Sequence, residues 1–299
     1  MKTFRTIKTS GQKRNQNTSG WINGFIGVVI FSGSLPATRV AVLDFDPIFL
    51  TVARATIAGL CAALVLLLFK QKSPSARDFY SLVIVSIGCV IGFPLLTALA
   101  LRNMSSAHSI VFIGILPFCT AIFGVLLAGE RPRYQFWLFA MLGSILVAGF
   151  AFSQSSEMLR NGDLLMVAAV ILCGLGYAEG GRLSRTLGGW QVICWALVFS
   201  MPLMAIAMFY TFPVNFDGIR PQGWIGLGYV SVFSMLVGFI FWYKGLAQGG
   251  IAAVGQLQLL QPFFGLMLAS TLLNEAVGWP IILVTLGVVV CVAYAKRFA

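Results

Sequence analysis

Few side chains in this sequence can bind a charged group or carry a proton, and most of them stand inside apolar runs. Gln256, Gln258 and Gln261 interrupt the stretch AAVGQLQLLQPFFGLMLASTLLNE, where an amide without a partner is expensive. Gln258 and Gln261, three residues apart, share one face of a helix. Such amides can hold an ammonium and a carboxylate, a water, or a neighbouring helix. His108 is the sole histidine; it can titrate near neutral pH, bind a carboxylate, or cap a helix start. Arg54 lies in LTVARATIAG, roughly 10 Å into an apolar helix at 1.5 Å per residue. A charge at the bilayer centre costs at least about 2.5–3.5 kcal/mol, which makes it a functional candidate. It can equally snorkel outward to Asp44 or Asp46 as a structural clamp. Glu179 can couple a proton, or pair with Arg182 three residues on, and the pair is the simpler reading.

Hydroxyls and rings complete the inventory. Ser32, Ser34, Pro36, Thr97, Ser231 and Ser234 let helices approach closely, and any that face a cavity can bond a solute. Phe93 and Tyr177 offer a stacking surface for an aromatic or aliphatic solute, against a background in which most rings are packing. Enzymatic chemistry has little to work with: no HxxxD, HExxH, GxSxG or paired-carboxylate arrangement occurs. The six cysteines, Cys61, Cys89, Cys119, Cys173, Cys194 and Cys291, fall in apolar runs without CxxC spacing. They read as small core hydrophobes, with no metal site or cofactor implied.

The elements that position these groups follow from composition. Of the 299 residues 59% are hydrophobic and 10% charged, with a mean hydropathy of +0.91, far from the roughly 45–50% and about 25% of soluble domains. The bilayer is the solvent. Apolar runs predict ten transmembrane helices at 21–41, 47–69, 79–101, 107–128, 134–152, 163–181, 188–210, 222–244, 251–273 and 279–295, after a disordered polar tail over 1–20. Trp21, Trp137, Trp190, Trp224, Trp242 and Trp279 fall near the predicted ends, as an interfacial aromatic belt would.

Placing the tail inside puts Lys2, Arg5, Lys8, Lys13, Arg14, Lys70, Lys72, Arg77, Arg131, Arg133, Arg182, Arg185, Lys244, Lys296 and Arg297 on the inner side. Only Arg39, Arg102, Arg160 and Arg220 then lie outside. The positive-inside rule therefore predicts that both termini are cytoplasmic. The net charge of +11 is a topology signal, and no nucleic-acid partner is implied.

The stretch AHSIVFIGILPFCTAIFGVLLAGE (107–130) reappears as residues 252–275. Pro117 matches Pro262, and Glu130 matches Glu275, both at an offset of 145. Each proline breaks its helix at mid-length and frees the carbonyl four residues earlier, Ile113 or Gln258. A five-helix repeat inserts its second copy upside down, so the sequence predicts two inverted halves, 21–152 and 163–299, around a central site. The symmetry partners of Gln258 and Gln261 are Ile113 and Leu116. An amide needed only for packing would more often occur twice, which favours a solute-binding role for the glutamines. Glu130 and Glu275 read as architectural helix-end carboxylates.

Ten helices in two halves, GSLPATR in the first, LTVARATIAG in the second, and the LLAGERP ending of the fourth echoed by LLNEAVGW together resemble the drug/metabolite transporter superfamily, EamA type. The resemblance covers Trp21 to Arg297 and is closest to bacterial exporters of aromatic and other neutral amino acids. It implies a secondary transporter of the bacterial inner membrane that works by alternating access through a central cavity. That cavity is lined by the first, third, fourth, sixth, eighth and ninth helices. The second helix is peripheral in that family, which favours the clamp reading of Arg54. The first helix has no carboxylate, unlike the smallest superfamily members, so their proton-exchange mechanism does not carry over.

The expected solute-binding set is Gln258, Gln261, Phe93, Thr97, His108, Ser34, Tyr177 and Ser234, with helix breaks at Pro117 and Pro262. The expected partners are an amino acid and the lipid bilayer, with the carrier a monomer. The alternatives are a multidrug or metabolite exporter and, remotely, an integral-membrane enzyme.

Overall fold

The computed structural model describes residues 2–103, 109, 112–154, 161–273 and 279–299. Among the described residues the chain is all-helical. Six stretches are long and apolar enough to cross a membrane: Asn17–Val42, Pro47–Leu68, Ala76–Arg102, Gly162–Leu183, Gly189–Thr211 and Pro221–Gly249. Leu116–Ala128 and Tyr134–Phe150 are shorter apolar helices.

The polar N-terminal stretch is helical, where disorder is expected from its sequence: α1 runs Lys2–Ser32 without interruption. Extending an existing helix fixes one residue per hydrogen bond gained, with no nucleation cost, so an apolar span carries its polar flank into the helix. The first span then breaks at Gly33 and resumes as α2 (Ser34–Val42). Pro36 cannot donate to the carbonyl of Ser32, and the break lies where that bond is missing.

Helix α3 (Pro47–Leu68) is started by Asp46, whose carboxylate accepts from the Ile48 and Phe49 amides at 2.9 and 3.2 Å. The third span joins α4 (Ala76–Val85) to α5 (Phe93–Asn103) through a π-helical segment, Ser86–Gly92. Further along come α6 (Leu116–Ala128), α7 (Tyr134–Gln154), α8 (Asn161–Leu183) and α9 (Gly189–Thr211). Helices α10 (Pro221–Gly228) and α11 (Gly238–Gly249) flank a second π segment, Tyr229–Val237. Shifting Ser86–Gly92 by the repeat offset of 145 gives 231–237, inside that second segment.

The last part holds α12 (Ile251–Gly255), a 3₁₀ segment Gln256–Leu260, α13 (Gln261–Leu273) and α14 (Trp279–Phe298). Both copies of the repeated stretch are broken just ahead of their prolines. Helix α6 begins at Leu116 with Pro117 second, and α13 begins at Gln261 with Pro262 second. A first-turn N–H has no intrahelical partner, so proline there sacrifices nothing. The chain itself satisfies one carbonyl expected to be free: the Gln261 amide donates to Gln258 O.

Packing joins early elements to late ones. Helix α1 lies along α11, α3 along α9, α6 and α5 along α8, and α7 along α14, while α12 touches α6 and α1. Two approaches, one between α1 and α11 and one between the first π segment and α8, are backbone to backbone. A Cβ on Gly245 would stand 2.6 Å from Gly24 N, and one on Gly88 3.0 Å from Gly176 Cα. Small residues let bilayer helices meet this closely.

Candidate solute-binding site

A cavity opens where the broken first span, the third span and the two proline-broken helices converge. One wall is aromatic. Phe31 stacks on Tyr177 (centroids 6.3 Å, planes 14° apart), and Phe239 meets both edge-on at 5.1 and 5.8 Å. Trp242 closes the cluster from behind, 5.4 Å from Tyr177. Phe93 and Pro94 form part of the lining beside the first π segment. The polar part of the lining is made by Ser34, Thr97, Ser234, Gln261 and Arg54. Ser34 donates to Ser234 Oγ at 2.7 Å, and Gln261 Nε2 donates to the Phe31 carbonyl at 3.2 Å.

Of the residues expected to bind solute, Ser34, Phe93, Thr97, Tyr177, Ser234 and Gln261 line this cavity. Gln258 is fully buried but stands apart from the lining, and its two amide atoms, like those of Gln256, find no hydrogen-bond partner. Its side chain lies near the Tyr177 hydroxyl without reaching ordinary hydrogen-bond geometry. His108 lies outside the described residues, as does Glu275. Ile113 and Leu116, the repeat partners of Gln258 and Gln261, also line the cavity.

Arg54 does not clamp to Asp44 or Asp46. It is 6% exposed and faces the cavity, with Nη2 3.5 Å from Ser234 Oγ and Nε without a partner. The aspartates are engaged elsewhere: Asp44 accepts from Arg220 Nε at 2.9 Å, and Asp46 starts α3 and faces Arg102 at 3.8 Å. The inward phase is marked by its neighbours, since Ala53, Ala55, Ala58 and Gly59 are all buried. That run of small residues was the available signal.

Glu179 is buried and paired with Arg182, which also donates to Ser81 Oγ at 3.1 Å, as the spacing predicts. Trp242, expected in the interfacial belt, is fully buried. Helix α11 runs on to Gly249, so Trp242 sits about two turns from the observed helix end and not next to it as the predicted end placed it. Cys89, Cys173, Cys194 and Cys291 are buried, and Cys61 and Cys119 half-buried.

Glu130 is architectural, as expected, and its partners are specific. Gly129 ends α6 in the left-handed conformation (φ 66°), and the following carboxylate accepts from the Ile251 and Ala252 amides at 2.8 and 2.7 Å. It thereby caps α12, with Arg185 paired to it from the α8–α9 connection. A carboxylate at a helix N-terminus satisfies orphan donors and complements the dipole.

About 30 Å³ of the cavity is open to the centre of a water molecule, against the roughly 300 Å³ or more of an ordinary small-ligand pocket. A water fits and an amino acid does not, so admitting a solute requires the walls to part.

Comparison with known proteins matches residues 18–152 and again 160–295 to the EamA-like transporter family. The chain is 62% identical over 285 residues to the uncharacterized transporter YdeK of Bacillus subtilis (strain 168), covering 95% of this chain and 99% of YdeK. It is 21% identical over 257 residues to a probable terminal-alkyne amino-acid exporter of Streptantibioticus cattleyicolor, covering 83% of each. A solved crystal structure aligns with a TM-score of 0.76 at 18% identity, covering 95% of this chain and 98% of that one. At that identity the likeness speaks for the fold alone.

Proposed function

The chain belongs to the EamA-like transporter family, and from that premise we propose that it exports small neutral amino acids, aromatic ones included, by alternating access. The observation that carries this reading is the cavity itself. Its lining joins rings (Phe31, Phe93, Tyr177, Phe239) with hydroxyls, an amide and a guanidinium (Ser34, Thr97, Ser234, Gln261, Arg54). An amphiphilic solute with an apolar side chain and a charged head matches that mixed lining.

We place ten spans in two inverted halves, 21–152 and 163–299, in the bacterial inner membrane, with both termini cytoplasmic and the carrier a monomer. The packing supports the inversion. Exchanging α1 with α8, α3 with α9, α5 with α11, α6 with α12–α13 and α7 with α14 turns the pairing α1–α11 into α8–α5, and α6–α8 into α12–α1. The pairings α3–α9, α7–α14 and α6–α12 map onto themselves. All of these are present. Inverted halves give two related conformations that expose one site to opposite sides.

A multidrug role is the second reading within transport. An uncompensated arginine in the lining repels lipophilic cations at short range in a low dielectric, which disfavours it. The test is counterflow in proteoliposomes preloaded with unlabelled phenylalanine or leucine, with labelled phenylalanine outside and a lipophilic cation as competitor. Saturable labelled uptake that the cation leaves untouched is expected. Absence of phenylalanine exchange, with saturable counterflow of a labelled lipophilic cation in its place, would transfer the protein to the second reading.

A further inference from the structure

We propose that Arg54 holds the anionic group of the transported solute, and that the site therefore selects for a carboxylate while tolerating loss of the ammonium. The proposal rests on the carrier reading above and refines what that carrier recognises.

Three observations carry it. Arg54 sits about two turns inside an apolar span, 6% exposed, with no carboxylate in salt-bridge range among the described residues. Charged groups inside a bilayer pair or serve the transported species, and no described residue supplies the pair. The Arg54 guanidinium is also under-used: Nε has no acceptor, and the single contact to Ser234 Oγ is long at 3.5 Å. Its planar fork suits two oxygens of one carboxylate.

The Ser34–Ser234 pair supplies the third observation. Ser234 Oγ already accepts from Ser34 at 2.7 Å and lies in reach of Arg54, so its own proton is left to donate. Arg54 and Ser234 thus present converging donors to the cavity, and Thr97 Oγ1, also without a partner, lines the same cavity. All of them suit an anion. Among the described residues nothing equivalent faces an ammonium: none of the carboxylates lines the cavity, Glu179 is committed to Arg182, and Asp44 to Arg220. An ammonium meets only ring faces and neutral oxygens, a weaker interaction than an ion pair.

The decisive probes are phenylalanine, 3-phenylpropanoate (no ammonium) and phenylalaninamide (no carboxylate), with hexanoate and hexanamide as an aliphatic pair. Binding is measured on the full chain in lipid nanodiscs. For the wild type, each acid is expected to bind at least about tenfold tighter than its amide, the lower bound for one charge-assisted hydrogen bond. Phenylpropanoate should match phenylalanine within about threefold, since the site holds no ion-pair partner for the ammonium. Arg54→Gln should bring the acid-to-amide ratio close to one, and Arg54→Lys, which keeps the charge but not the fork, should retain a reduced preference.

Amides binding as tightly as acids to the wild type, an undiminished preference in Arg54→Gln, or no acid binding at all would each overturn the proposal. If Arg54→Gln does not fold, the wild-type ratios and Arg54→Lys decide, and an undiminished preference in Arg54→Lys overturns the fork geometry. The two readings fail separately. An Arg54-dependent preference for phenylpropanoate or hexanoate without phenylalanine exchange sinks the amino-acid reading and keeps this one. Phenylalanine exchange unchanged in Arg54→Gln, with its preference over the amide intact, does the reverse.

Discussion

The two proline-broken helices share a backbone and differ in what they bury. In both, an α-segment opens one residue before a proline, and the preceding residues leave α geometry, Gly114–Ile115 as a turn and Gln256–Leu260 as a 3₁₀ segment. The break is therefore duplicated architecture. The buried chemistry is not duplicated: Ile113 and Leu116 line the cavity on one side, and Gln258 and Gln261 occupy the matching positions on the other. On the proposed reading, symmetry would supply the two conformations and asymmetry the recognition.

The first copy also holds the second by its end, through the Glu130 cap on α12. Glu130→Ala should give the largest stability loss. It removes two charge-assisted hydrogen bonds worth about 1.5–3 kcal/mol each, discounted for partial exposure to roughly 3 kcal/mol in all. Thermal unfolding in detergent should record it as a clear drop in midpoint, with Glu130→Gln losing less. An unchanged midpoint would mean that the contact does not hold the copies together.

Gln258→Leu separates recognition from packing. Replacing an amide with no partner by an apolar isostere leaves stability unchanged or raises it by about 1–3 kcal/mol. Transport should still fall at least about tenfold if the amide serves the solute in another conformation. Ile113→Leu, at the equivalent position, should alter neither. Unchanged flux in Gln258→Leu would erase the functional asymmetry between the copies. The smallest effect belongs to the prolines. Pro117→Ala and Pro262→Ala should each cost only about 0.4–1 kcal/mol, with the same sign, because both stand where the missing N–H is not needed. A large, unequal pair of values would show that the two breaks are not the same device.

Much of this was legible in the residues. Pro117 and Pro262 gave the breaks because proline leaves a chemical signature. Glu130 gave an architectural end, and Glu179 its partner three residues on. Six of the cavity residues, Ser34, Phe93, Thr97, Tyr177, Ser234 and Gln261, could be named from polarity and ring chemistry in apolar surroundings. What could not be read was direction. A helix that is hydrophobic all round carries no moment to say which face is inside, so the sequence favours an Arg54 turned outward to Asp44 or Asp46, although it points at Ser234. The same loss of contrast hid the burial of Trp242, the Gly24–Gly245 and Gly88–Gly176 approaches, and the paired π segments, which depend on partners distant in sequence.

The claim that one central cavity is reached from both sides of the membrane is tested most directly by cysteine accessibility. Ser234→Cys, in a background with the six native cysteines replaced, would be reconstituted and treated with a membrane-impermeant thiol reagent from either side. The account predicts modification from both sides and protection by phenylalanine. Modification from one side only, or reactivity that phenylalanine leaves unchanged, would contradict it.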